Sequence, residues 1–157
     1  MKRLDADGNP FRFHLVAREK ELLAALLARY PVAPATFQRL SGGETARIQS
    51  AQQELEEALA GRKKENLRQL QTLLHTEECL RRDEAGYCLS LTVAQMNWLL
   101  EVLNEVRVGS WLKLGQPHSL EQLRRTRNKA TLRDLYTMET SGYFQMVLLE
   151  ALNHRVN

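Results

Sequence analysis

What this chain has little of narrows its class first. Cysteine occurs only at Cys79 and Cys88. The two could pair, but nothing marks the chain as secreted, so reduced thiols in a cytoplasmic protein are expected. Four prolines and eight glycines in 157 residues are few, as helices require. No window approaches the ~18 uninterrupted apolar residues of a membrane span. Met1 leads into Lys-Arg and an Asp-Gly-Asn-Pro turn rather than an apolar signal core. Neither sign of charge dominates. Lys and Arg exceed Asp and Glu by 22 to 19, a formal net charge of +3, too little to mark a nucleic-acid binder by itself. Motifs of catalysis are missing as well: no Gly-x-Ser-x-Gly, no His-Glu-x-x-His and no glycine-rich phosphate loop. The chain therefore reads as a non-enzyme that uses no cofactor.

What is present is helical. Thr92–Gly115 reads as one long helix, apolar over more than half its circumference. Thr92 with Gln95 gives it a capping box, and Gly115, Pro117 and His118 close it. A helix so apolar has to be wrapped by others. The expected fold is mainly α: a single-domain bundle, residues 1–157, of five to six helices around a buried central helix at about 92–114. A small N-terminal β-hairpin occupies 1–16, because Phe11-Arg-Phe-His-Leu15 alternates behind the Asp5–Pro10 turn signal. The remaining chain, 17–157, is expected to be helical.

Around that centre, Ala17–Tyr30 carries Leu22, Leu23, Leu26 and Leu27 at helical spacing and stops before Pro31 and Pro34. Phe37 and Leu40 should tack the next loop to the core. Ser41–Glu44 looks like a second capping box. The helix behind it shows Ile48, Ala51, Leu55 and Leu59, then Leu67, Leu70, Leu73, Leu74 and Leu80, with a break expected at Gly61. Residues 86–91 read as a short extended connection and Ser119–Arg125 as a short helix. Thr131 is expected to cap a helix to about Thr140. Ser141-Gly142 should interrupt it before a last helix over 143–154, whose Phe144, Val147, Leu148, Ala151 and Leu152 face inward.

Taken together, the early leucine-rich helix, the Trp98-Leu-Leu-Glu-Val-Leu-Asn-Glu-Val-Arg107 run and the late Tyr136…Gln145 segment resemble a bacterial helical family, the domain of unknown function numbered two thousand and seventeen. Trp98, Leu99, Leu103, Asn104, Arg107 and Gly109 carry the resemblance; Trp111 and Lys113 depart from it. It implies a cytoplasmic bacterial protein without an established reaction. Members often lie beside a gene for an adaptor of the Clp protease, so the resemblance implies such an adaptor as partner and a link to regulated proteolysis.

Three constellations are candidates for function. Asn104 and Arg107 lie at the border of the central helix's buried arc. Arg107 is either half of an internal ion pair, with Glu139 or Glu150, or a fork of donors for a carboxylate or phosphate. The run Arg124, Arg125, Arg127, Lys129 and Arg133 is either a solvated rim or the phosphate-contacting surface of a nucleic-acid-binding transcriptional regulator. His75, Cys79 and Cys88 are too few and too loosely spaced for a closed zinc site, so no metal is expected. Gly109 and Ser110 are expected to let a neighbouring helix approach closely. The leading functional expectation is a non-enzymatic interaction or regulatory protein with a protein partner, nucleic acid being the alternative, no membrane, and self-association left open.

Overall fold

A computed structural model describes residues 1–4, 9–32, 46–119, 121, 123, 125 and 128–153. Phe37, Leu40, the Ser41–Glu44 capping box, the Ile48 and Ala51 side chains, Leu120, Gln122, Arg124, Arg127 and His154 lie outside the described residues. In chain order the elements are β1 (Lys2–Arg3), β2 (Phe11–Leu15), α1 (Ala17–Leu27), α2 (Ala46–His75), β3 (Leu80–Arg82), β4 (Tyr87–Leu91), α3 (Val93–Lys113) and α4 (Lys129–Asn153). The fold is mostly helical, with a small antiparallel sheet.

The central helix is where the sequence puts it. The Thr92 hydroxyl accepts from the Gln95 backbone N–H at 3.2 Å, and the Gln95 side-chain oxygen accepts from the Thr92 N–H at 2.8 Å. Two amides without helical partners are thereby satisfied. Met96, Leu99, Val102, Leu103 and Val106 are all buried. They meet Leu23, Leu26 and Leu27 of α1, Leu70 and Leu73 of α2, and Phe144, Leu148 and Ala151 of α4 in one core cluster.

The expected hairpin forms but is half of something larger. The sheet runs β1-β2-β4-β3. Residues 86–91 are not a mere connection, because Tyr87–Leu91 pairs along the whole of β2, Phe11 opposite Leu91 and Leu15 opposite Tyr87. Leu80 ends no helix; it opens β3, opposite Leu89. Region 17–157 is therefore not all helical. The physical reason is the alternation of β2: Phe11, Phe13 and Leu15 are all fully buried. A two-residue β1 cannot satisfy that strand's other edge, so a second hairpin supplies it. Gly86 sits where this hairpin folds back, and a Cβ there would press on the Leu15 carbonyl.

Among the described residues there are four helices, not five to six. Gly61 does not break α2, which runs through it. Ser141-Gly142 does not interrupt α4 either. Ser141 is fully buried, and its hydroxyl donates to the Thr137 carbonyl one turn back at 2.8 Å. Burial against neighbouring helices thus outweighs weak local propensity. Thr131 is not the cap. Asn128 is: its side-chain oxygen accepts from the Ala130 N–H at 2.9 Å.

Gly61 is exposed, and a Cβ there would meet nothing within 4 Å. Gly61→Ala should therefore raise the unfolding free energy by about 0.5–1 kcal/mol. Urea unfolding would show it as a higher midpoint at an unchanged slope; a lower midpoint would mean the glycine is needed where it stands.

Candidate interaction surface

Asn104 and Arg107 are both exposed. A buried ion pair at Arg107 is therefore not formed, and its suggested partner Glu150 is exposed too. Both side chains lie outside the buried arc. Opposite Arg107 stands Gly142, so close that a Cβ there would lie 3.9 Å from the guanidinium Nε. With no side chain in the way, the arginine stem leaves along α4 and puts its charge in water. Arg107→Met should then change stability by less than about 0.5 kcal/mol, as surface substitutions usually do. Chemical unfolding reads this directly; a loss of several kcal/mol would restore the buried-pair reading.

Gly109 and Ser110 are buried on α3. His75 is exposed, its Nδ1 3.0 Å from the Gln71 carbonyl. Cys79 and Cys88 are buried and free, and Gln95 Nε2 lies 3.7 Å from the Cys79 sulfur. Among the described residues no three His, Cys, Asp or Glu side chains are grouped to hold a metal ion. None of the described helices is long and apolar enough to cross a membrane.

A polar chain ties α2 and α3 to the segment that follows α1. The Trp98 Nε1–H donates to Asn66 Oδ1 at 2.9 Å, and Asn66 Nδ2 donates to the Tyr30 hydroxyl at 2.9 Å. Burial pushes the Tyr30 phenol above its usual pKa, against the pull of the Asn66 bond, and the Glu105 carboxylate adds to the rise. This chain fixes how α2 lies against α3 and the segment that follows α1.

An open cleft lies between α1 and α4. The two helices run antiparallel. At one end the Tyr143 hydroxyl donates to Glu19 at 2.9 Å. At the other, Arg29 pairs with Asp134, bonds the Thr137 hydroxyl and reaches the Arg133 carbonyl at 3.3 Å. Between these clamps lies a cleft of about 870 Å³. Leu22, Ala25 and Leu26 form one wall and Leu132, Tyr136, Thr137 and Thr140 the other; Arg29, Arg133 and Lys113 close the basic end. Arg29 is neutralised by Asp134. Among the described residues the Lys113 and Arg133 side chains have no ion pair.

The basic run is thus divided. Arg124 and Arg127 lie outside the described residues. Arg125 pairs with Glu121 at 3.0 Å, whereas Lys129 and Arg133 are exposed on the first turns of α4. Sequence reasoning found these two cations without finding the cleft. Its only sequence signal was a pair of large residues, Leu132 and Tyr136, 39% and 53% exposed, off the buried face of their helix.

The chain matches no protein-family model, no curated protein and no solved structure. The resemblance carried by Trp98–Gly109 rests on those residues alone, and the cleft has to be interpreted from its own chemistry.

Proposed function

We propose that this protein is a non-enzymatic, cytoplasmic interaction or regulatory protein that holds a protein partner in the α1–α4 cleft. The observation that carries this reading is the cleft's composition: two apolar walls leading to a basic end where Lys113 and Arg133 have no counter-charge among the described residues. An amphipathic segment with acidic residues at one end complements both parts. Its apolar side chains fill the groove, and its carboxylates meet the lysine and arginine. The resemblance around Trp98–Gly109 adds a Clp protease adaptor as the first partner to try, and with it a role in regulated proteolysis.

Capture experiments with two variants test the reading. Ala25→Trp fills the wall of the cleft; Lys113→Glu with Arg133→Glu inverts its basic end. A partner retained by the parent should be lost by both. A partner retained equally by all three proteins would place the binding surface elsewhere. The competing nucleic-acid reading predicts a different pattern: a salt-dependent shift of duplex DNA that the charge reversal abolishes and Ala25→Trp leaves intact.

A further inference from the structure

The outward face of α4 carries an order that runs on past the cleft, sharing Leu132 and Tyr136 with its wall. Lys129, Leu132, Tyr136, Glu139, Tyr143, Met146 and Glu150 follow one another at alternating steps of three and four along the helix. At 3.6 residues per turn these seven positions fall within an arc of about 100°. They lie opposite the arc that Asp134, Ser141, Phe144 and Leu148 bury. Large apolar side chains stand in water there: Leu132 is 39% exposed, Tyr136 53%, Tyr143 39% and Met146 52%. A three–four alternation of apolar residues is the spacing by which one helix packs along another.

The charges say which helix. The stripe is basic at its start, at Lys129, and acidic at its end, at Glu150, with two apolar residues on each side of Glu139. Read backwards it is its own complement. Laid antiparallel on a copy of itself about Glu139, it sets Lys129 against Glu150, Leu132 against Met146 and Tyr136 against Tyr143. We propose that this face of α4 is a self-association surface, and that a second copy of the chain packs on it antiparallel, about a two-fold axis at Glu139. Such a contact is isologous: each pairing occurs twice. The stripe from 129 to 150 spans roughly 31 Å at 1.5 Å per residue, a length over which two helices and their flanking side chains can reach the ~800 Å² per partner of a stable interface.

The inference goes beyond the cleft reading, and different residues test it. Sedimentation equilibrium of the full chain should show a dimer that dissociates on dilution. Met146→Glu should weaken it about a hundredfold or more, since it would bury a charge without a partner. Lys129→Glu should weaken it about tenfold, because two pairs are reversed per dimer. Combining Lys129→Glu with Glu150→Lys should restore the parent value. Glu139→Cys should form a disulfide-linked dimer under mild oxidation. A parent that stays monomeric at high concentration would overturn the proposal. So would a dimer indifferent to Met146→Glu, or a charge swap no better than its single changes. Circular dichroism confirms that each variant is folded. Ala25→Trp should leave the dimer intact while abolishing partner capture, so failure of the cleft reading and failure of this one are separable.

Discussion

Leu103→Ala should lower the unfolding free energy by about 2–5 kcal/mol, the range for deleting a buried leucine. Leu103 is fully buried at the middle of α3, among residues of α1, α4 and the sheet. The loss has two parts: the transfer free energy of the deleted carbons, and the cavity they leave. Its upper half is expected here. A close-packed core relaxes little, and Gly109 and Ser110, about two turns further along α3, are buried as well. Urea unfolding measures it. A loss below about 1 kcal/mol would mean that α3 is not the enclosed helix.

Asn66→Ala should cost about 2–5 kcal/mol by another route. Asn66 is 7% exposed. It accepts from the Trp98 indole and donates to the Tyr30 hydroxyl. Removing it strands one buried donor and one buried acceptor, each worth roughly 1–3 kcal/mol of uncompensated desolvation. Trp98→Phe in the same background should then be less harmful than in the parent, because the indole no longer has a partner to lose. A double-mutant cycle reports that coupling; strictly additive losses would mean the three side chains do not act as a chain.

Much of the fold was legible in the sequence, and the illegible parts share a cause. The central helix declared itself through its apolar arc and the Thr92–Gln95 box, because both are local. The β2 strand declared itself through alternation. Its partner β4 was hidden: Tyr87-Cys-Leu-Ser-Leu91 is short, and its assignment depends on a strand some seventy residues away. Gly61 and Ser141-Gly142 looked like breaks because local propensity disfavours helix there. Burial overrode that signal at Ser141; Gly61 is simply tolerated at a cost. The candidate sites divide in the same manner. A helical wheel placed Arg107 at the border of the buried arc but could not show that Gly142 stood opposite and left it a way out. The cleft was invisible because Arg29 and Asp134, which clamp one of its ends, are remote in the chain and have no motif in common. The cations Lys129 and Arg133 were visible only as part of a basic run.

The pairing of β2 with β4 also sets a clock. Leu15 meets Tyr87 and Phe11 meets Leu91, so the strand that fills the heart of the sheet finds its partner only across 72 to 80 residues of chain. At about 5–20 residues per second of synthesis, its three buried side chains wait roughly 4–16 s after translation before β4 exists. Joining the ends of so long a loop is entropically expensive and is rewarded only when the strands meet. Nascent chains stalled short of residue 87 should be cut by protease within Phe11–Leu15. Chains stalled far enough beyond α3 for β4 and that helix to leave the exit tunnel should be protected there. Until then Phe11, Phe13 and Leu15 are the stretch of newborn chain most in need of a chaperone.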